Sequence, residues 1–112
     1  MRRYDIEEYL TANGASPFGD WLAGLKDKIG QAKLTARIDR ASYGNFGDWK
    51  EIKGAGNIFE MREHYGPGYR IYYTLVGRKM ILLLAGSSKK DQDRAIRKAK
   101  EYLDDYRSKK DG

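Results

Sequence analysis

The chain has 112 residues, a length at which one domain with one hydrophobic core is expected. It has no cysteine, which excludes disulfide bonds and thiolate metal sites, and its single histidine argues against a zinc site. No apolar run approaches the roughly 18 residues of a membrane span, and residues 1–5 lack the apolar stretch of a signal peptide. We therefore expect a cytoplasmic protein with no metal or other cofactor and no membrane association.

The net charge of +6 lies in the second half of the chain. Residues 1–48 carry 7 basic and 7 acidic side chains, residues 49–86 carry 6 and 3, and residues 87–112 carry 9 and 6. A basic surface attracts phosphate-bearing partners through long-range forces and counterion release. This asymmetry favours an RNA or another acidic partner, and the alternative is a basic protein with no nucleic-acid role.

The first part of the chain predicts one strand and two helices. Residues 3–10 nearly alternate apolar and charged side chains, which is typical of an edge or mixed-sheet strand. Ser16 and Pro17 form a helix-start signal, and the spacing that follows predicts a helix that ends at Gly30. A second helix is expected at residues 31–41. The apolar residues of the first helix are Phe18, Trp21, Leu22, Leu25 and Ile29, and the first four of them are predicted to lie in the core.

The second part predicts strands and a last helix. In chain order the strands are a short one at residues 49–53, two at 58–65 and 69–76, and a buried central one at 80–85. An amphipathic stripe predicts a helix over about 90–107, and residues 108–112 are expected to be disordered. The order predicts a single α+β domain, residues 1–107, with a strand and two helices, a three-strand antiparallel meander and a C-terminal helix. We expect the helices on one side of a small curved sheet and the other face partly open.

Strand alternation places Arg70 beside aromatic rings. Because successive strand side chains point to opposite faces, Arg70, Tyr72 and Thr74 share one face. On the preceding strand, Arg62 and His64 share a face. An arginine among aromatic rings suits RNA, with its phosphates and stackable bases, although it is also compatible with a solvated or salt-bridged surface residue.

Several segments resemble the RelE/ParE superfamily of bacterial toxins, and specifically its HigB-like addiction module killer branch. The resemblance spans roughly residues 3–105 and depends on residues 58–62, the turn and strand at 66–73, residues 82–86, and the helix start at 89–92 followed by Asp93, Ile96, Ala99 and Lys100. It implies a RelE-like fold and a toxin of a type II toxin-antitoxin system. Such toxins are most often ribosome-dependent mRNA endonucleases that use the RNA 2′-hydroxyl and no metal. The implied partners are a helix-turn-helix antitoxin, the ribosome and mRNA, with DNA contacted only through the antitoxin complex.

The resemblance also implies site residues by position. Arg62 and Arg70 match basic residues of the sheet face, while Lys89 and Lys90 lie where relatives have a basic catalytic residue. Attack of a 2′-oxygen on its neighbouring phosphate builds negative charge, which a guanidinium stabilises without a metal. Because arginine and lysine exchange protons poorly at their normal pKa, His64 is the candidate acid or base.

Other residues are expected to contact RNA or to substitute for missing groups. The expected RNA contacts are Lys50, Lys53, Tyr72 and Arg94, with solvated lysines and a salt-bridged helix as the competing interpretations. Relatives have a tyrosine or histidine near the last strand–helix junction, which residues 87–97 lack, and Tyr69 or Tyr72 could substitute. Glu60 could hold Arg62 in place. The alternatives to a nuclease are a ParE-like toxin that inhibits DNA gyrase and an inactive, RNA-binding relative.

Overall fold

The computed structural model describes residues 1–111, which form one five-stranded sheet and three α-helices. In chain order the elements are β1 (Asp5–Glu8), α1 (Pro17–Ala23), α2 (Lys28–Ser42), β2 (Trp49–Glu51), β3 (Phe59–Glu63), β4 (Tyr69–Val76), β5 (Met80–Ser88) and α3 (Gln92–Asp111). A single 3-10 turn, Lys89–Asp91, joins β5 to α3.

The strand order in the sheet is β1-β5-β4-β3-β2. Strands β2 to β5 are antiparallel neighbours, and β1 pairs with β5 in parallel. This confirms the predicted α+β class and its element order and is consistent with a RelE-like fold. The meander has four strands instead of three, because the short strand β2 joins its edge.

Helices cover both faces of the sheet, so the predicted one-sided arrangement is wrong. Phe18 of α1 and Leu34 of α2 pack with Ile71 on one face. Ala99 and Leu103 of α3 pack against the other face, which carries Tyr72, Leu82 and Leu84. Strand β5 is apolar on both sides and has to be covered on both. The prediction of a central strand buried on both faces is thereby confirmed.

The first helix is shorter than predicted. It ends at Ala23 with Gly24 as its C-cap, and Asp27 then caps α2 by accepting the backbone N–H of Gly30 at 2.9 Å. A second helix start therefore interrupts the apolar spacing. Ile29 belongs to α2 and is 58% exposed, so its predicted place on the first helix is wrong.

The last helix extends past the predicted end at Arg107 and continues to Asp111. The division into a domain at residues 1–107 and a disordered tail stays a prediction, and Gly112 lies outside the described residues. Within residues 1–111, no helix combines the length and the apolar character needed to cross a membrane.

Candidate functional site

Basic side chains of neighbouring strands meet on the sheet face that α3 covers. Arg62 of β3 lies directly opposite Arg70 of β4, and Arg70 lies opposite Ser87 of β5. Side chains of such directly opposed residues have Cβ atoms about 4.5–5.5 Å apart. The two arginines predicted from the sequence are therefore neighbours.

A bulge in β5 completes this arrangement. Tyr72 pairs with Ala85 and Tyr73 with Leu83, so Leu84 is an extra residue in β5. Bulges reorient the side chains that follow them. Here the bulge places Ser87 on the same face as Arg70 and Tyr72, which strand alternation alone could not predict.

Arg70 is buried and forms an ion pair with Glu60. Its Nε lies 3.0 Å from Glu60 Oε2, and the two side chains are only 8% and 4% exposed. The distance is that of an ion pair, but the N–H does not point at the carboxylate, and the buried Nε and Nη1 atoms make no hydrogen bond with residues 1–111. Arg70 therefore has two donors without a hydrogen-bond partner among these residues, and direct donation from them to an anion requires a local rearrangement that exposes them.

Glu60 also attracts a second cation from the edge strand. Lys50 Nζ lies 3.7 Å from Glu60 Oε1, and its side chain is half exposed. Beside this pair is a pocket of about 410 Å³ between β2 and the start of α3, lined by Lys50, Lys53, Glu60, Gln92 and Ile96 among others. Lys53 is exposed in the turn after β2. The two lysines predicted to contact RNA thus border one opening.

Asp48 holds Arg62 and His64, which the sequence predicted to share a face. Arg62 Nη2 donates to Asp48 Oδ1 at 3.0 Å, and His64 Nε2 lies 2.6 Å from Asp48 Oδ2. The hydrogen bond with His64, followed by that from Arg62, lowers the pKa of Asp48 against the opposing effect of desolvation. Asp48 is not among the residues predicted from the sequence, because it lies in a loop after Gly47 where no periodicity points to it.

Lys89 and Lys90 are exposed at the start of the segment that leads into α3. The backbone N–H of Lys89 donates to the carbonyl of Gly68 at 2.6 Å, which ties this segment to the turn before β4. Gly68 has a positive φ of 79°, a conformation that favours glycine. Arg94, one turn further on, is exposed and lies 3.6 Å from Asp91.

Tyr72 is not available for stacking on RNA. Its side chain is completely buried, and its hydroxyl lies 3.2 Å from Ser87 Oγ. Burial raises the pKa of Tyr72 to about 12. No ring face is open to a base, because α3 covers this part of the sheet, and the predicted RNA contact of Tyr72 is corrected accordingly.

Tyr69 cannot take the place of the missing proton-transfer residue in this arrangement. It lies on the opposite sheet face, is buried, and donates its hydroxyl to Asp27 at 2.8 Å. Burial and this hydrogen bond raise the pKa of Tyr69. Within residues 1–111, no group of three or more histidine or acidic side chains has the arrangement of a metal site.

The five-stranded sheet with its three α-helices is consistent with a RelE-like fold. The model of the family described as "Phage derived protein Gp49-like (DUF891)" matches residues 20–104, and the chain belongs to this family. It is a toxin-like addiction-module family related to RelE. The predicted resemblance is thereby confirmed at this level, whereas the HigB-like branch stays a prediction. The matched residues include every candidate site residue.

A curated relative comes from Haemophilus influenzae. The chain is 42% identical to this uncharacterized protein over 83 residues, which cover 74% of the chain and 82% of the relative.

Proposed function

We propose that the chain is the toxin of a type II toxin-antitoxin system and acts as a ribosome-dependent mRNA endonuclease of the HigB-like branch. Cleavage would take place in the cytoplasm with no metal: the RNA 2′-oxygen loses its proton and attacks the neighbouring phosphate, the P–O5′ bond breaks, the 5′-oxygen leaves as a protonated hydroxyl, and a 2′,3′-cyclic phosphate remains. The observation that supports this most strongly is the opposition of Arg62 and Arg70 on the face below α3.

The two arginines supply the charge stabilisation that the reaction requires. Negative charge develops on the phosphoryl oxygens, and donors that are already in place stabilise it without reorganisation. Arg70 is buried and held by Glu60, so it contributes its positive charge to the site from behind the surface. Arg62 is partly exposed, so it can reach an approaching strand.

His64 is the proposed acid or base, and Asp48 positions it. The bond to Asp48 engages His64 Nε2, which leaves Nδ1 for the substrate, and the side chain is 70% exposed. A histidine oriented by a carboxylate can accept a proton from a reacting oxygen or give one to it. Arg62 shares the same carboxylate, so Asp48 couples the proton-transfer group to the charge-stabilising group.

The remaining cations are proposed to bind the RNA backbone. Lys89 and Lys90 flank the turn that carries Gly68, whereas Lys50 and Lys53 border the pocket beside β2. Arg94 lies on the exposed side of α3. Such contacts make affinity fall steeply with salt. The ribosome and mRNA are the proposed partners during cleavage, and a helix-turn-helix antitoxin is the proposed inhibitor.

The test is to map new mRNA 5′ ends in cells after brief induction. Wild type should produce cuts inside translated regions. We expect three variants each to reduce the number of these cuts at least 10-fold: Arg62→Ala, Lys89→Ala/Lys90→Ala and Arg70→Lys. The last of these keeps the positive charge but loses the planar guanidinium group. Arg78→Ala is the matched control, because Arg78 is exposed at the β4–β5 turn, at the other end of the strands.

Two results would contradict the proposal. Growth arrest without new 5′ ends would favour a gyrase-type toxin. Full cleavage by the Arg62 and Arg70 variants would exclude the proposed site even if the chain is a nuclease. Relief of toxicity by a helix-turn-helix protein encoded beside this gene would test the antitoxin separately.

A further inference from the structure

A second pocket lies on the other side of α3 from the candidate site. It measures about 240 Å³ and forms where α1 and α3 approach the end of β5. Trp21 of α1 and Tyr102 of α3 contribute aromatic walls, and residues 85–87 of β5 form the floor. Pockets for drug-sized ligands are generally about 300–1,000 Å³. This smaller pocket therefore suits a single ring system.

The floor of the pocket offers hydrogen-bonding groups. Strand β1 accompanies β5 only to Leu83, whose carbonyl accepts the N–H of Tyr9 at 2.9 Å. Beyond Leu83, no strand within residues 1–111 pairs with the outer edge of β5. A strand edge without a partner presents backbone N–H and C=O groups. An aliphatic ligand in the pocket would leave these backbone groups without hydrogen bonds, whereas the polar edge of a nucleobase can form hydrogen bonds with them.

Two cations, Arg94 and Lys98, and one carboxylate, Asp91, line the rim of the pocket, so its net charge is positive. Arg94 and Lys98 line it and are mostly exposed, and their ion-pair partners Asp91 and Glu101 lie 3.6 and 3.5 Å away. Ion pairs this exposed contribute little stability, so both cations can turn towards a phosphate.

The pocket is also close to the candidate cleavage site. Ser87 lines the pocket and lies opposite Arg70 on the neighbouring strand. Neighbouring strands are separated by about 4.8 Å. Arg62 on β3 is two strand spacings, about 10 Å, from Ser87. A base held in the pocket would therefore belong to a nucleotide near the cleaved one.

We propose that this pocket binds the base of one unstacked nucleotide of the RNA substrate, with Arg94 and Lys98 on an adjacent phosphate. The base stacks against Trp21 or Tyr102, and the edge of β5 bonds its polar atoms. This inference depends on the proposed function for the identity of the strand. It adds a specificity subsite that the cleavage chemistry itself does not require.

Fluorescence of Trp21 provides a direct measurement. The chain has two tryptophans, and Trp49 lies on β2, so a Trp49→Phe chain reports on Trp21 alone. The probe is a 2′-O-methyl RNA trinucleotide, which binds but cannot be cleaved through its 2′-oxygens. We expect saturable quenching of the Trp21 emission at low salt.

Two pocket variants and one control are compared in this background. Ala95→Met fills the pocket, which Ala95 lines, and should weaken binding about 10-fold, the range for loss of one stacked base. Arg94→Ala/Lys98→Ala changes only exposed side chains and should weaken binding and reduce the salt dependence. Arg97→Ala, exposed on α3 outside the pocket, should bind as the parent does.

The outcomes separate this proposal from the proposed function. Absence of quenching, or quenching unaffected by both pocket variants, would overturn the pocket even if wild type cleaves mRNA. Pocket-dependent binding without any cleavage by wild type would support the pocket and overturn the nuclease. Equal affinity for uridine 5′-monophosphate would overturn the assignment to an RNA strand in favour of a free nucleotide. If purified antitoxin quenched the Trp21 emission and RNA did not, the assignment of the pocket to RNA would be overturned in favour of a protein partner.

Discussion

Glu60 has the most constrained surroundings of the candidate site residues. Its carboxylate is almost completely buried and lies between the guanidinium of Arg70 and the ammonium of Lys50. A buried ion pair contributes little net stability, but removal of one partner leaves an uncompensated buried charge. Glu60 therefore compensates the buried positive charge of Arg70 on the sheet face that α3 covers. We expect loss of either residue to affect folding as well as activity.

A double-mutant cycle tests this coupling. We expect Glu60→Leu and Arg70→Leu each to lower the free energy of unfolding by about 3 kcal/mol, because each removes the buried charge that compensates the other. The double variant should lose much less than the sum of the two. Urea unfolding followed by tryptophan fluorescence gives these values. Strict additivity would show that the two groups do not interact.

The buried hydroxyl of Tyr72 predicts a loss of stability in alkali. Burial raises the pKa of Tyr72 from 10.0 to about 12. The unfolded chain therefore ionises first, so this contribution is complete below pH 10 and is lost as the pH rises to 12. The loss is on the order of 2 kcal/mol for such a shift. Burial also raises the pKa of Tyr9 to about 12, so its ionisation lowers stability over the same pH range.

The measurement is the urea midpoint between pH 9 and 12. Tyr72→Phe should flatten the decline relative to wild type, whereas Tyr43→Phe, at an exposed tyrosine, should leave it unchanged. A decline as steep in Tyr72→Phe as in wild type would show that ionisation of Tyr72 does not limit alkaline stability.

Part of the site could be predicted from residue patterns. Strand alternation placed Arg62 and His64 on one face, and their common partner Asp48 confirms it. Alternation could not predict the burial of Arg70 and Tyr72, because burial depends on where α3 packs. Asp48 has no periodic neighbours, so only the fold identifies it.

At the scale of elements, the sequence pattern does not predict that α3 covers the sheet face opposite α1 and α2. The apolar stripe predicted this helix correctly, but periodicity does not say which sheet face a helix covers. The continuous apolar run of β5 contained the missing information, because a strand covered on both faces requires helices on both. Leu82 and Leu84 face α3, whereas Ile81 and Leu83 face α1 and α2.

The contact between α1 and β5 depends on Gly86. A Cβ atom at this position would overlap the ring of Trp21. We expect Gly86→Ala to displace the indole, to lower the free energy of unfolding by about 2 kcal/mol, and to shift the tryptophan emission. The readouts are urea unfolding and the emission spectrum.

Gly14→Ala is the matched control for this substitution. Gly14 has a positive φ of 85° and no atom within 4 Å of a Cβ, so alanine there strains only the backbone, by about 1 kcal/mol. Its emission should be that of wild type. An unchanged emission in Gly86→Ala would show that Trp21 does not lie against this glycine.

At the scale of the whole molecule, α3 separates two openings. The candidate cleavage site and its lysine-lined pocket lie on the β2 side, and the aromatic pocket lies on the β5 side. Most residues that line the two openings come from the basic second half of the chain. Lys89 and Lys90 lie directly before α3, the helix between the openings. This arrangement favours an RNA strand that crosses the start of α3, with cleavage on one side and base recognition on the other.

The most direct test of the account is cleavage of a defined mRNA on purified ribosomes. The A-site codon carries either ribose throughout or a single 2′-deoxynucleotide at the cleaved position. We predict that the purified chain cuts the all-ribose mRNA, leaves a 2′,3′-cyclic phosphate, and spares the deoxy-substituted bond. Cleavage at the deoxynucleotide, or no cleavage of the all-ribose mRNA, would contradict the account.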